Sequence, residues 1–377
     1  ALEDYNRIWG VINISAINQS GRSVTPITRP SQTAQEKLLR SIYLTHVDPS
    51  VVQYVEAHGT GTPAGDPTEA ESLGSIIGNN RSPKMPVLKI GSVKGNVEML
   101  FQQFVPISLL ELTESECEDF SRPEIAQPLL FTLQVALTSL LKHWGIKPVA
   151  AVGHSVGEVA AAHCGGFLSL EDAVRVIYHR SRLQAKVTGG KMLVVGNIPV
   201  QEISEALGPY SGKVCIAAFN SPSSCTLSGD AVSVSALQKE LAQLFSKRDI
   251  FLRVLHVPAA YHSHMMDPIV KEMMEHLQYL EKQKPEIEVI STLTGKVASA
   301  DDFTTGKFWA RHARDPVAFT QAIVTSAKEK ENVVFVEIGP ERALQRYITE
   351  TLGKQTRVLS SLQTDKEYQT LLSLCEQ

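Results

Sequence analysis

The sequence predicts an α/β chain with more than one folded body. Its 377 residues, 43% of them hydrophobic, supply enough apolar material for two cores. Short apolar runs bounded by Gly and Pro alternate with amphipathic helical stretches, as in mixed α/β architectures. One apolar run, residues 149–152, leads directly into Gly153-His154-Ser155-Val156-Gly157 and then a small-residue helical stretch. That order is strand, sharp turn, helix.

Residues 1–97 form the first predicted body. There, residues 51–57 and 87–94 read as buried strands that deliver the loops His58-Gly59-Thr60-Gly61-Thr62 and Gly95-Asn96. Between 98 and 124 the pattern loses its period, and the junction is placed there. The second body, 125–377, opens with a helix over 125–143. After the turn at Ser155 and a helix over 158–162, Ser169 precedes a further helix with Asp172 three residues on, a capping-box-like pattern. Residues 191–257 read strand, helix, strand, strand, helix, strand, the ferredoxin-like order, and are predicted to be a small subdomain inserted in the larger body. Residues 333–338 give a last buried strand.

Composition excludes several classes of function. The 36 Lys and Arg residues are interspersed with 40 Asp and Glu, so the basic face of a nucleic-acid binder is missing. No uninterrupted apolar run approaches the roughly 20 residues of a membrane span, and the start lacks a signal-peptide layout, so a cytoplasmic, non-membrane protein is expected. Cys117, Cys164, Cys215, Cys225 and Cys375 show no paired spacing, which argues against disulfides and against a zinc site. No metal is expected. The chain begins at Ala1 rather than Met, which suggests a piece of a longer natural chain.

In a G-x-S-x-G turn the glycines allow a tight bend that lifts the serine hydroxyl from the sheet edge. The amides that follow sit at a helix N-terminus, favourable for a developing oxyanion. Ser155 is therefore the candidate nucleophile, against the alternative of a solvated serine in an ordinary turn. Its base must be a histidine. His154 is its immediate neighbour and should point elsewhere. His262 and His264 lie together beyond the small subdomain, and residue pattern alone leaves the choice open. Arg180 projects from the apolar face of its helix with Val176 and Ile177, whereas Arg175, His179 and Arg182 share another face. A buried arginine needs a partner, either an internal ion pair or a substrate carboxylate held by its planar fork.

These residues, with Ile125-Ala126-Gln127-Pro128 upstream, the stretch from Trp309 to Phe319, and Ile338-Gly339-Pro340, resemble the acyltransferase domains of animal fatty acid synthase and type I polyketide synthases. The resemblance runs from about Ser108 to the end. It implies an α/β-hydrolase-like acyltransferase body, Ser155 as nucleophile toward a coenzyme A thioester, and His262 as base, since the family places its base between an aromatic and Ser. It further implies Arg180 at a malonyl carboxylate, His154 and Gln127 at the substrate, and a backbone carbonyl, that of His312, holding the base. Tyr261 and Val156 imply malonyl over methylmalonyl. The acceptor would be the phosphopantetheine thiol of an acyl carrier protein, working with other synthase domains. Apart from these substrate arms, no bound cofactor is implied.

The first part resembles the C-terminal half of a ketosynthase, a thiolase-like segment. The likeness rests on Asn18-Gln19-Ser20-Gly21-Arg22-Ser23, the loop at His58, and Gly91-Ser92-Val93-Lys94-Gly95-Asn96-Val97. His58 then corresponds to one of two catalytic histidines and Lys94 to a supporting cation. The family continues to a second histidine where this chain has Glu98-Met99-Leu100, and its cysteine nucleophile would precede Ala1, so no ketosynthase activity is expected. The acyltransferase's opening strand and Gly-Gln-Gly turn, source of a second oxyanion amide, are also absent. Two alternatives accompany the leading reading. One is a serine hydrolase of esterase type, which shares the elbow. The other is a catalytically impaired splice or gene-model fragment acting only as a binding module.

Overall fold

The computed structural model describes residues 14–19, 30–59, 64–82, 84–92, 121–363, 366, 369–370 and 374. The chain divides into two compact units, 1–114 and 115–377.

In the first unit, α1 (Gln32–Tyr43) is capped by Ser31, whose Oγ accepts from the Ala34 amide at 3.2 Å. Helix α2 (Gly65–Leu73) continues into a π-turn, Gly74–Gly78, and Leu73, Ile76 and Ile77 are buried. Strands β1 (Tyr54–Glu56) and β2 (Lys89–Gly91) pair in parallel. Both are shorter than expected, the start of the first being a 3-10 turn at Pro49–Val51. Neither is a buried strand: Tyr54 is 53% and Ile90 44% exposed. A two-stranded ribbon covers little of its own face, and an apolar run cannot report how many neighbours its strand will have.

The second unit begins with α3 (Pro123–His143), then β3 (Ala150–Val152), the turn at Ser155, α4 (Gly157–Cys164) and α5 (Leu170–Gln184). By length and apolar content α3 could cross a membrane. Here Ile125, Phe131, Val135 and Leu141 are buried, and the helix packs on α4 and α5. Ser169 caps α5 by accepting from the Asp172 amide at 3.0 Å. The reciprocal half of a capping box is absent, because the Asp172 carboxylate accepts instead from Arg175 and the Glu281 amide.

The small subdomain runs β4 (Lys191–Gly196), α6 (Val200–Ala206), β5 (Val214–Ser221), β6 (Ser224–Gly229), α7 (Ala231–Leu244) and β7 (Phe251–Val254). Its four-stranded antiparallel sheet has the order β5-β6-β4-β7, the ferredoxin-like arrangement, with α6 and α7 burying Ile203, Val234, Leu237 and Leu241 against Leu193, Val195 and Leu227. The chain then returns to the larger body through α8 (Asp267–His276), β8 (Glu288–Ser291), β9 (Lys296–Val297), α9 (Gly306–Arg314), α10 (Phe319–Ala327), β10 (Val334–Glu337), α11 (Gln345–Leu352) and β11 (Arg357–Ser360).

Parallel pairing between strands of this body falls into two separate groups, β3 with β8 and β10 with β11, among the described residues, with isolated parallel bridges at Gly189–Ala259 and Ala218–Val317. A cleft of about 1110 Å³ is lined by both β3 and β10, together with Leu130, Leu141 and Phe319.

Leu227 is fully buried at the centre of the small subdomain. Leu227→Ala is expected to lower unfolding free energy by about 2–5 kcal/mol, the range for a cavity left by a core leucine, measured by urea denaturation.

Candidate active site

The position of Ser155, the candidate nucleophile, is set by backbone. Ser155 has φ of +50°, in the left-handed region that residues other than glycine seldom occupy. Gly153, just before it, allows the close packing that the turn needs: a Cβ there would lie 2.2 Å from the Glu158 nitrogen. Gly157 is less constrained than the motif suggests, since a Cβ would meet only the Gln134 side chain at 3.6 Å. After the turn, the Glu158 amide closes back on the Ser155 carbonyl at 2.9 Å and α4 begins. Val156 is the N-cap residue of that helix, and its amide has no hydrogen-bond partner among the described residues. At the start of a helix, this amide is a backbone donor next to Ser155 that can meet an oxyanion.

His262 meets Ser155 from the loop beyond the small subdomain. Its Nε2 lies 2.7 Å from Ser155 Oγ, and its Nδ1 lies 2.9 Å from the Asp315 carbonyl oxygen. A carbonyl can only accept, so Nδ1 carries the hydrogen and Nε2 presents a lone pair to the serine O–H. The expected carbonyl of His312 is not the one used. Helix α9 runs on to Arg314, and Asp315, extended at its C-cap, offers a carbonyl beyond the helical ladder. His262 is buried with φ of +55°. Burial, then the nearby Arg180 and His312, hold its pKa well below the ordinary imidazole value, against the hydrogen bond to Asp315. His264 instead starts the 3-10 turn His264–Met266.

Arg180 reaches the same hydroxyl from α5. Its Nη2 donates to Ser155 Oγ at 3.2 Å, and its Nη1 donates to Gln127 Oε1 at 2.5 Å. Gln127 in turn donates to Gln184 Oε1 at 2.6 Å, so α3 and α5 fix the guanidinium between them. No carboxylate pairs with Arg180 among the described residues, and its Nε is buried without a partner. Burial lowers its pKa to about 10, opposed by Tyr261 and Glu158, which leaves it cationic at neutral pH. Tyr261 is half-buried, its hydroxyl has no hydrogen-bond partner among the described residues, and burial pushes its pKa to about 12 despite Arg180.

His154 points away from the nucleophile, with Nε2 2.9 Å from Asn220 Oδ1, and Asn220 is fixed by donating to Thr226 at 3.0 Å. Burial lowers its pKa, partly offset by Asn220. Val156 is half-buried. In the first unit His58 is exposed, and its amide and that of Gly59 donate to the Glu69 carboxylate. Lys94 lies outside the described residues. Sequence reasoning missed Gln184, Asn220 and the Asp315 carbonyl. Gln184 stands one turn beyond Arg180 on the same helix, which is the signal that could have found it, whereas Asn220, at the polar end of an apolar run, and a backbone carbonyl leave none.

The arrangement provides a serine hydroxyl, a neutral base within hydrogen-bond reach, and a buried cation with free donors. It suits covalent acyl chemistry on a substrate bearing negative charge. No group of three or more metal-ligating side chains occurs among the described residues.

The acyl transferase domain family matches residues 92–375, and the C-terminal domain of beta-ketoacyl synthase matches residues 9–100. Polyketide synthase GfsB of Streptomyces halstedii is 33% identical over 297 residues, 77% of this chain and 5% of that protein. Probable polyketide synthase 22 of Dictyostelium discoideum is 31% identical over 287 residues, 71% of this chain and 11% of its own length. The chain thus spans only a small part of these relatives. Among solved structures, the acyltransferase domain from module 8 of the salinomycin polyketide synthase is similar, with a TM-score of 0.69 and 26% identity, over 74% of this chain and 67% of that one. The loading acyltransferase from the avermectin modular polyketide synthase has a TM-score of 0.68 and 26% identity, over 75% of this chain and 90% of that one. MCAT from Streptococcus pneumoniae shares the fold, with a TM-score of 0.67 and 24% identity, over 75% of this chain and 91% of that one.

Two outcomes follow from the geometry. Gly153→Ala forces a clash with backbone, and Ser155 labelling by a fluorophosphonate is expected to fall at least about tenfold, given the sensitivity of reacting groups to small displacements. Only neutral His262 can take the serine proton, and its pKa is depressed. Labelling rate should therefore be flat from pH 8 to about 6.5 and fall only in more acid solution, below the ordinary histidine value of about 6.5. A pH series of labelling rates checks this.

Proposed function

The chain belongs to the acyl transferase domain family, preceded by a C-terminal ketosynthase segment, and from that premise we propose that it moves a malonyl group from coenzyme A to a carrier-protein thiol through Ser155. The observation that carries this reading is the placing of one serine hydroxyl between His262 Nε2 and Arg180 Nη2.

His262 Nε2 takes the Ser155 proton as Oγ attacks the thioester carbonyl. The resulting oxyanion is met by the Val156 amide at the α4 N-terminus. Collapse breaks the carbon–sulfur bond, and the coenzyme A thiolate leaves with the proton from His262. Malonyl-Ser155 remains. The phosphopantetheine thiol of an acyl carrier protein then gives its proton to His262 and attacks the ester carbonyl. Ser155 leaves as the alkoxide and recovers its proton from His262, completing a ping-pong cycle.

Arg180 selects the substrate class. Gln127 and Gln184 hold its plane, and its unpartnered Nε, with Nη2, offers a fork for the malonyl carboxylate. Tyr261 and Val156 restrict space at the α-carbon, favouring malonyl over methylmalonyl by the about 1–3 kcal/mol that one methyl group allows. Coenzyme A and phosphopantetheine arrive as substrate arms, and no resident cofactor enters the cycle. The setting is fatty acid or polyketide synthesis, alongside other synthase domains in the cytoplasm. The first unit adds no condensing activity in this reading. Its His58 has no second histidine in the sequence Val97-Glu98-Met99-Leu100.

Intact-mass analysis after brief exposure to malonyl-CoA tests the proposal. A malonyl adduct is expected on the parent, none on Ser155→Ala, and at least about tenfold less on Arg180→Ala, since a hydrogen bond to a charged group contributes about 1.5–3 kcal/mol. A folded parent without adduct would overturn it.

A further inference from the structure

A buried carboxyl that takes no part in the cycle lies beneath the dyad. Glu158 is fully buried, the second residue of α4 and three residues after the nucleophile. An acidic side chain in such a place requires polar partners. Its Oε2 accepts from the Thr292 amide at 2.9 Å and from the Thr292 hydroxyl, and it lies 3.5 Å from His312 Nε2. The Thr292 hydroxyl also lies 2.8 Å from the Gly153 carbonyl, the start of the nucleophile turn. Among the described residues, Oε1 of Glu158 has no hydrogen-bond partner, nor has either ring nitrogen of His312, which is 3% exposed.

These contacts join the two halves of the dyad. On one side, Glu158 and Thr292 bracket the turn at Gly153 that presents Ser155. On the other, His312 belongs to α9, whose end supplies the Asp315 carbonyl that orients His262. The Thr292 carbonyl accepts from the Ala318 amide at 2.6 Å, tying the same post-helix segment down again. The His262 and His312 rings meet edge to face with centroids 6.3 Å apart. Serine and base come from chain segments 107 residues apart, and no hydrogen bond other than their own joins the turn directly to the base.

We infer that Glu158, with His312 as its partner, is a positioning residue: it locks the Ser155 turn to the helix end that orients His262 and so sets the serine–imidazole distance. It touches neither substrate nor reacting atoms. The inference rests on the reading of Ser155 and His262 as nucleophile and base, and is independent of which acyl group is carried.

The test uses the full chain and a fluorophosphonate probe, whose reaction with Ser155 needs the dyad and no malonyl carboxylate. Glu158→Gln keeps an oxygen for the Thr292 amide and changes the contact with His312. Its maximal labelling rate is expected to fall about 10- to 100-fold, the penalty for misplacing reacting groups by up to about 1 Å. The probe concentration at half-maximal rate should stay within twofold of the parent. His312→Gln should reproduce the fall, and it carries the test if Glu158→Gln fails to fold. Both variants labelling within twofold of the parent, with unchanged unfolding midpoints, would overturn the inference. So would a fall confined to the half-saturating concentration. A parent that labels with the fluorophosphonate but never with malonyl-CoA would sink the malonyl reading and leave this inference testable.

Discussion

The left-handed backbone at Ser155 is the constraint on which the site depends. A side chain at that φ is strained, and the strain persists because neighbouring packing over-determines it. Gly153 lies against the first turn of α4, the Glu158 amide closes on the Ser155 carbonyl, and the Thr292 hydroxyl, just past the end of β8, lies 2.8 Å from the Gly153 carbonyl. With the serine so fixed, two side chains reach its hydroxyl and a third steadies one of them. The loop beyond the small subdomain brings His262, α5 brings Arg180, and α3 brings Gln127, which steadies Arg180.

Electrostatics in this pocket follows from burial more than from ion pairing. Arg180 has no carboxylate beside it among the described residues, and the base receives its orientation from a neutral backbone carbonyl. A buried cation next to His262 disfavours the imidazolium, so the base is kept in the form that accepts a proton. The same cation, lacking an internal counter-charge in direct contact, retains its capacity for an anionic substrate group. In the proposed reading, one residue thereby serves both the protonation state of His262 and the choice of substrate.

Much of this could be read from sequence wherever local patterns decide structure. The elbow, the Ser169 cap and the βαββαβ order of the small subdomain depend on turn chemistry and periodicity over short stretches, and each has its counterpart in the fold. Arg180 was legible because a charge on the apolar face of a helix is conspicuous. The choice between His262 and His264 was open to the residue pattern, since both occupy one loop and long-range packing selects between them, and the family resemblance alone favoured His262. The resemblance implied the carbonyl of His312, but that residue lies inside the helix, which runs on to Arg314, and the carbonyl at its C-cap, Asp315, is the one that holds His262. In the first unit, apolar runs promised buried strands and gave a short, largely exposed pair, because burial depends on neighbours that a local pattern does not contain. The separation of β3–β8 from β10–β11, with an apolar cleft lined by β3 and β10, is likewise a matter of long-range pairing. Exposed strand edges of this kind are open to further pairing.

Transfer, as opposed to hydrolysis, is the central claim, and the fate of the acyl-serine distinguishes them. The direct measurement is the discharge rate of preformed malonyl-Ser155, followed by intact mass, in buffer alone and with millimolar pantetheine. Release of the adduct as malonyl-pantetheine at least about tenfold faster than its loss to water is the expected result, consistent with a thiol-resolved ping-pong cycle. Equal loss in the two solutions, with free malonate as product, would contradict transfer and identify the site as that of a hydrolase.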